Sequence, residues 1–213
     1  MPNILHRGKV RDTYDLGSGR LLMIATDRIS AFDVVLPTGI TNKGLVLNRI
    51  SAFWFDLTKD IVPNHFVCLG DSPEAAQYIE GSNIAGTITD QIARQAMVVK
   101  QAERLDLECV VRGHIAGSAW SEYRRGGTVS GMDVGNGLLE GQEFPEPLFT
   151  PTTKAEEGHD ENMSNQAVLD MVGADMARQL EETSKAIFKA AHDFARGKGI
   201  ILADTKMEFG IID

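Results

Sequence analysis

The last ten residues constrain the fold most, because they place three charged side chains at alternate positions directly after an apolar run. Residues 200–203 are apolar, and Asp204, Lys206 and Glu208 follow them. Alternate side chains of a β-strand share a face, so the pattern predicts a strand with one charged face. Ionised groups beside a buried strand are costly unless they pair or meet a ligand. The segment therefore indicates either a metal-phosphate site or an internal salt-bridge ladder.

The composition is that of a globular chain. With 213 residues, of which 43% are hydrophobic, the chain can bury a core in one domain or in two joined lobes. It lacks the run of about 18 apolar residues that a membrane span needs. Residues 1–7 also lack the apolar core of a signal peptide. We therefore expect a cytoplasmic protein that makes no membrane contact.

The charge and the cysteine content argue against two further classes of protein, general nucleic-acid binders and cysteine-ligated zinc proteins. The formal net charge of -9 argues against a general nucleic-acid binder, which needs a basic face to neutralise phosphates. The two cysteines, Cys68 and Cys109, lie in apolar segments and have no Cys or His at zinc-ligand spacing. Both are predicted to be buried thiols.

A basic segment near the N-terminus predicts a β-hairpin, with a first strand at 6–14 and a second at 21–26. On the first strand, Arg7, Lys9 and Arg11 are predicted to share one face, and Gly8 leaves room for the backbone to approach an anion. Such a hairpin could clamp a triphosphate. A solvated basic edge strand that discourages aggregation explains the same pattern.

The next segments predict a polar loop followed by a helix. Residues 27–44 are rich in donors and carboxylates, as functional or turn-forming loops are. Residues 45–58 have the apolar repeat of a helix that ends before Pro63. We expect Phe53 and Trp54 of this helix to lie in the core.

Two predicted strands, at 97–100 and 107–112, flank the polar connector 101–106. The connector could be a hinge between lobes whose backbone groups bind a purine edge. A plain hairpin turn between the two strands fits the sequence equally well.

A glycine-bracketed turn at 112–118 precedes a predicted helix. Ser118 stands where an N-cap is expected, free amides at a helix N-terminus favour a phosphate, and Arg112 could supply a bidentate fork. A capped helix with a surface arginine is the alternative. Further on, residues 155–162 crowd carboxylates around His159, for which a solvated acidic loop is favoured over a metal site.

Taken together, these motifs resemble the SAICAR synthetase family of purine biosynthesis. The resemblance extends over nearly the whole chain, through residues 8–12, 27–33, 42–44, 108–113, 116–118, 153–154 and 204–210. It implies a two-lobed α+β fold with an ATP site in the cleft between the lobes. Residues 1–102 would form a small kinase-like lobe that clamps the nucleotide, and residues 103–213 a substrate and metal lobe.

The resemblance also implies a carbon-nitrogen ligase that uses ATP and Mg²⁺. The reaction joins L-aspartate to the carboxylate of 5-aminoimidazole ribonucleotide carboxylate (CAIR) through an acyl-phosphate, giving SAICAR, ADP and phosphate. The partners are then these small molecules, with no nucleic acid and no membrane, and the sequence leaves open whether the chain forms a homo-oligomer. Two alternatives remain: an inactive nucleotide-binding homologue, and another ATP-dependent carboxylate-amine ligase or kinase.

The roles that the resemblance implies fall into four groups. ATP would be bound by Gly8, Lys9, Arg11, Lys100 and Ala102, and the substrate by Arg112, Ser118, Asp33 and Asp160. Lys206 and Asp204 would be catalytic, and Glu208 would hold the metal. The family continues past the Glu-Phe-Gly motif with a second metal-binding aspartate and a C-terminal segment, so this chain is expected to lack both.

Overall fold

The computed structural model describes residues 3–154 and 162–212. These residues form two compact units, one extending to Ala102 together with Ile212, and the other spanning Glu103–Ile211. Helices and strands are mixed in both, which makes the fold α+β. Within the described ranges, no helix has both the length and the apolar character that a membrane crossing requires.

The first unit is built on one antiparallel sheet. Its strands are β1 (Ile4–Arg7), β2 (Arg11–Gly17), β3 (Arg20–Ala25), β4 (Ser30–Ala31), β5 (Val34–Val35), β6 (Phe66–Leu69) and β7 (Ala96–Lys100). The main sheet has the order β1-β2-β3-β7-β6, while β4 and β5 form a separate hairpin. The helices are α1 (Lys43–Thr58), α2 (Ala76–Ile79) and α3 (Asp90–Gln95), with 3-10 turns at Pro73–Ala75 and Ala85–Thr87.

Helix α1 begins where a distant carboxylate caps it. Its own N-cap residue, Asn42, makes no side-chain capping bond. Instead, Asp27 accepts hydrogen bonds from the backbone amides of Gly44 and Asn42, at 2.9 and 3.0 Å. A carboxylate satisfies the free amides of a first helical turn and complements its partial positive charge. Gly44 is required there, because a Cβ atom would lie 2.1 Å from the carbonyl oxygen of Ala25.

The helix prediction for residues 45–58 is confirmed, but its buried face differs from the expected one. The buried positions include Asn48 and Ala52, and Asn48 donates to the carbonyl of Ala96 over 2.8 Å. Phe53 is 43% exposed, so the prediction that it lies in the core is wrong. The core of this unit instead lies around Tyr14, Leu22, Ile24, Cys68, Ile79, Ile84 and Val98.

The basic N-terminal segment is not one strand. Strand β1 ends at Arg7 and β2 begins at Arg11. The prediction that Arg7, Lys9 and Arg11 share one face of a single strand is therefore wrong. The chain reverses at Gly8, whose amide donates to the carbonyl of Arg11 over 2.8 Å. We call residues 8–10 the Gly8 loop. The predicted hairpin exists, but it is formed by β2 and β3.

The second unit contains the remaining elements. Its strands are β8 (Glu103–Arg104), β9 (Leu107–His114), β10 (Thr128–Val129), β11 (Met132–Asp133), β12 (Glu143–Phe149), β13 (Thr152–Thr153), β14 (Asp204–Met207) and β15 (Gly210–Ile211). Its helices are α4 (Gly117–Gly126), α5 (Asn165–Val172) and α6 (Ala174–Arg196). Strands β10 and β11 form a hairpin, and β15 pairs with β8.

Strand β9 is the centre of the second sheet. Val111 pairs with Phe149 of β12 on one edge and with Thr205 of β14 on the other, and β13 pairs with the start of β9. Helix α6 packs on this sheet so closely that a Cβ atom at Gly113 would lie 2.6 Å from the ring of Phe188. The core beneath includes Leu107, Cys109, Val168, Leu180 and Phe188.

Two sequence predictions are decided by this topology. Strands β7 and β9 belong to different sheets, so the connector between them is not a hairpin turn. The apolar residues before the charged segment do not extend the strand. Ile200 and Ile201 are exposed, and β14 begins at Asp204.

Candidate functional site

The first group of candidate residues surrounds the Gly8 loop. An open pocket of about 370 Å³ borders it and is lined by Arg7, Gly8, Lys9, Arg28 and Val35. Three of these five residues are cationic. Arg11 begins β2 at the end of the loop. A glycine turn beside several cations is suited to an anion such as a polyphosphate.

Asp33 forms an ion pair with Lys9 and so links the β4–β5 hairpin to the Gly8 loop. Asp33 and the preceding Phe32 have positive φ angles of 64° and 48°. Such angles are uncommon for residues other than glycine, and especially for a bulky one. Phe32 is 97% exposed. The turn thus places the carboxylate of Asp33 against the Gly8 loop and exposes the ring of Phe32 to solvent.

Two of the predicted ATP-binding residues, Lys100 and Ala102, differ in the backbone groups that they can offer a ligand. The amide of Lys100 donates to the carbonyl of His65 over 2.7 Å, so it is already used within the unit. Ala102 lies between β7 and β8, and its backbone makes no hydrogen bond to any other described residue. Ala102 is therefore the position whose amide and carbonyl can meet a ligand.

The second group of candidate residues lies on one face of β9 and β14. Asp204 pairs with Arg112, and Lys206 with Val110. Asp204, Lys206 and Glu208 are exposed, whereas the residues between them are half-buried. Glu108 and Arg112 stand at alternate positions of β9, whose opposite face enters the core through Leu107, Cys109 and Val111. The charged face predicted from the last ten residues is therefore present.

Glu108 is the buried centre of this face. Its side chain is only 5% exposed, and Oε1 accepts a hydrogen bond from Lys154 Nζ over 2.7 Å. Oε2 accepts no hydrogen bond from the described residues but forms an ion pair with Lys206. A buried carboxylate needs this kind of compensation, because desolvating a charge is costly. Glu108 thus holds two lysines on one face.

Lys154 extends the network to the metal candidate. It also donates a hydrogen bond to Glu208. Burial alone would lower the pKa of Lys154, but its hydrogen bonds to Glu108 and Glu208 raise the pKa above its ordinary value. Lys154 is therefore held as a cation between the two carboxylates.

Arg112 is a mostly buried cation whose charge is only partly compensated by the carboxylates of the described residues. Its guanidinium donates to the hydroxyls of Thr150 and Ser118, both at 3.1 Å. The closest carboxylate among the described residues is that of Asp204, 3.7 Å from Nη1. Because the side chain is 12% exposed and has neutral partners at short range, it can attract an anion such as a phosphate.

Ser118 is not the N-cap of the following helix, contrary to the prediction. Helix α4 begins at Gly117 with Ala116 as its N-cap, which places Ser118 in the first turn. The turn is made by Gly117, whose φ of 57° lies in the left-handed region. The Ser118 hydroxyl consequently points to Arg112 and does not cap the helix.

The donor set fits magnesium only as an ion bound largely by water and substrate phosphates. No cluster of three or more His, Cys, Asp or Glu side chains within residues 3–154 and 162–212 could hold a metal ion. Magnesium keeps several waters and often takes only one or two protein carboxylates. Glu208 can be such a ligand, although Lys154 now occupies it. His159 and Asp160 lie outside the described residues.

The residues that the sequence predictions missed are Glu108 and Lys154, which lie in the recognised motifs but received no role. Glu108 lies between Leu107 and Cys109 in a buried strand. A carboxylate in such an apolar segment indicates a buried charge that needs a partner, and this signal could have identified Glu108. Its lysine partner is 46 positions away, a separation that no local pattern reveals.

Comparisons with known proteins agree with one another. The family model described as SAICAR synthetase matches residues 4–213. The phosphoribosylaminoimidazole-succinocarboxamide synthase of Maridesulfovibrio salexigens is 45% identical over 99% of this chain and 68% of that protein. Its counterpart from Syntrophotalea carbinolica is 49% identical over 100% of this chain and 70% of that protein.

Solved structures give the same result. The SAICAR synthase of Saccharomyces cerevisiae, solved in complex with SAICAR, has a TM-score of 0.86 and 42% identity, covering 98% of this chain and 68% of that one. A SAICAR synthetase in complex with ADP has a TM-score of 0.74 and 25% identity, covering 98% of this chain and 75% of that one.

Proposed function

This chain belongs to the SAICAR synthetase family, and from that premise we propose how its residues serve the family's reaction. The protein is an ATP-dependent carbon-nitrogen ligase of purine biosynthesis. It joins L-aspartate to the carboxylate of CAIR and releases SAICAR, ADP and phosphate. The alternatives, an inactive homologue or a different ligase or kinase, are not favoured, because the curated relatives are named as the synthase.

The chemistry requires an activated carboxylate. A carboxylate is a poor acyl donor, so ATP first transfers its terminal phosphoryl group to the CAIR carboxylate, and ADP leaves. The amine of aspartate then attacks the acyl-phosphate carbon and displaces phosphate, losing a proton as the amide forms. Phosphoryl transfer depends mainly on positioning and charge neutralisation, so cationic side chains are the central requirement.

In the first unit, we assign the phosphates of ATP to the Gly8 loop. Gly8 gives the backbone its close turn, while Lys9 and Arg11 supply positive charge. An incoming phosphate would compete with Asp33 for Lys9. Once Lys9 binds the phosphate, the Asp33 carboxylate would be available to bind the substrate. The backbone of Ala102 is the better candidate for a purine edge, because the amide of Lys100 is already paired within the unit.

In the second unit, we assign the ribonucleotide phosphate to Arg112 and Ser118, whose side chains are 3.1 Å apart. Lys206 would steady the carboxylate that is phosphorylated, with Glu108 holding that lysine in place. Asp204 would orient Arg112. Asp160 remains a proposed substrate contact on the strength of the resemblance alone.

Magnesium belongs to the proposal as well. Glu208 would hold the ion together with phosphate oxygens and water. For this, Lys154 would release Glu208 and keep only its ion pair with Glu108. When bound, the ion supplies charge neutralisation on the phosphates. We also propose that the protein works in the cytoplasm.

The observation that carries the proposal is the shared face of β9 and β14, which presents Arg112 and Lys206, with Glu208 following directly after β14 in the same unit. The experiment is to measure ADP release with ATP, Mg²⁺, CAIR and L-aspartate, omitting each component in turn. We expect release over many turnovers to need all four, because the acyl-phosphate accumulates on the enzyme after a single turnover when aspartate is absent. ADP release that continues over many turnovers without aspartate would indicate a kinase or ATPase, and nucleotide binding without any release would indicate an inactive homologue.

A further inference from the structure

We infer that Arg28 is a positioning residue that shapes the Gly8 loop, so that the backbone amides of Lys9 and Val10 bind a polyphosphate. The inference deepens the proposed function, because it rests on the Gly8 loop as the phosphate site. It assigns a role to a residue of the 27–33 motif that had none, and it adds backbone donors to the side chains already proposed.

The guanidinium of Arg28 fastens two successive carbonyl groups of the loop. Nη2 donates to the carbonyl of Gly8 and Nε to the carbonyl of Lys9, both at 3.0 Å. The same guanidinium binds the carboxylate of Asp12 through Nη2 at 2.6 Å and Nη1 at 3.1 Å. Arg28 therefore ties two carbonyls of the loop to the Asp12 side chain of β2, in addition to the bond from the Gly8 amide to the carbonyl of Arg11.

The orientation of the amides follows from these two bonds. In a planar trans peptide, the carbonyl and the N–H point in opposite directions. The chain has no cis peptide among its described residues. Because the carbonyls of Gly8 and Lys9 face Arg28, the amides of Lys9 and Val10 face away from it. Neither amide donates a hydrogen bond to any other described residue.

Two adjacent amides on one side of a loop are suited to an anion, since pre-oriented N–H donors need no rearrangement to receive it. Arg28 also moves the negative ends of the same peptide groups away from that side. With Arg7 and Lys9 nearby, this side of the loop offers positive potential and two directed donors.

Arg28 itself is poorly suited to bind the anion, although it borders the pocket. A guanidinium has five N–H donors, and the four bonds to Gly8, Lys9 and Asp12 use all but one of them. Its charge is compensated by Asp12, with which it forms a partly buried ion pair. Arg28 is therefore expected to act through the loop and not on the ligand.

The test uses the unmodified chain and inorganic tripolyphosphate, which needs neither adenine recognition nor ligation. Backbone amide NMR should show the Lys9 and Val10 signals moving downfield as tripolyphosphate is added, while the Arg28 Nε signal changes little. If the Arg28 Nε signal moves and the two amides do not, the anion sits on the guanidinium and the inference is wrong. It is equally wrong if neither group responds.

A second measurement uses the variant Arg28→Lys, which keeps the charge but cannot hold two carbonyls and a carboxylate together. We expect its affinity for ADP to fall about tenfold or more, as the loss of one oriented bond to a charged group implies. Its affinity for adenosine should stay within about twofold, a split that general unfolding would not produce. The control is Arg49→Lys, which alters another Arg-Asp ion pair of the same unit.

The two hypotheses fail separately. If ligation requires all substrates but the Lys9 and Val10 amides ignore tripolyphosphate, only the inference fails. If the amides respond to tripolyphosphate and no ADP is released from the complete mixture, the inference stands and the proposed reaction fails.

Discussion

The Nζ atom of Lys154 lies 2.7 Å from Oε1 of Glu108, a carboxylate that is 5% exposed in the centre of the β9 face. Lys154 also bonds Glu208, and Glu108 also pairs with Lys206. Two carboxylates and two lysines thus form one connected network. A change at any member leaves a neighbour with uncompensated charge, so the network couples stability to the proposed chemistry.

The first prediction concerns Glu108→Gln. Removing the buried charge leaves Lys154 and Lys206 without their common partner, and we expect the free energy of unfolding to fall by about 3 kcal/mol. Denaturant unfolding measures this change, and ADP release should fall with it because Lys206 is no longer held. The control, Glu103→Gln, alters an exposed glutamate of β8. Unchanged stability and activity in Glu108→Gln would show that the network has no such role.

The second prediction concerns Lys206→Met. If this lysine steadies the carboxylate during phosphoryl transfer, kcat should fall by about 10²–10³-fold, the usual effect of losing one transition-state donor. The KM for ATP should change much less, because ATP is assigned to other residues. Steady-state kinetics with each substrate varied in turn measures both quantities. Lys185→Met, on the surface of α6, is the control, and a change confined to KM would contradict the assignment.

The third prediction concerns Arg112→Lys. A lysine cannot donate to Thr150 and Ser118 and also present a planar fork to a phosphate. We expect the KM for CAIR to rise by about tenfold or more, with the KM for ATP within about twofold. Kinetics with CAIR varied at saturating ATP measures the effect. Arg104→Lys, whose arginine pairs with Asp106 on the surface, should match the parent protein.

The fourth prediction concerns Glu208→Gln and magnesium. A neutral amide is a weaker ligand for Mg²⁺ than a carboxylate, so the Mg²⁺ concentration for half-maximal ADP release should rise by about tenfold. The variant also removes one partner of Lys154, so unfolding should be measured in parallel without the metal. If the Mg²⁺ dependence of the variant equals that of the parent, Glu208 does not hold the ion.

Much of the fold could be predicted from local patterns. The 3.6-residue repeat placed α1 almost correctly, and the alternation of Asp204, Lys206 and Glu208 predicted a charged strand face. Such elements are recognisable because the same residues that define the pattern also define the element. The family resemblance then set the fold class, which the solved relatives confirm.

The failures have a different physical origin. Alternation suggested one strand through Lys9, but the chain turns at Gly8 because Arg28, 20 residues away, bonds the carbonyl of Gly8. Phe53 looked like a core residue, yet the helix buries Asn48, whose partner is the carbonyl of Ala96. In each case a tertiary bond overrode the local preference, and a local pattern does not contain its distant partner.

The last prediction concerns pH and Glu122 of α4. Its carboxylate accepts hydrogen bonds from the hydroxyl of Thr128 and from the amides of Ser130 and Gly131, all at 3.0 Å, and so holds the β10–β11 hairpin. Burial alone would raise the pKa of Glu122, but these bonds lower it below the ordinary value of 4.5.

A carboxylate with a lowered pKa in the folded state stabilises the fold above its unfolded pKa, and this contribution disappears as pH falls through the folded value. We therefore expect Glu122→Gln to lower the free energy of unfolding by about 2 kcal/mol at pH 7. The difference from the parent should shrink as the pH falls below 4.5, the ordinary value. Urea unfolding at several pH values measures it, and Glu140→Gln, an exposed glutamate of the same unit, is the control. A difference that stays constant from pH 7 to pH 3 would mean that the charge of Glu122 does not hold the hairpin.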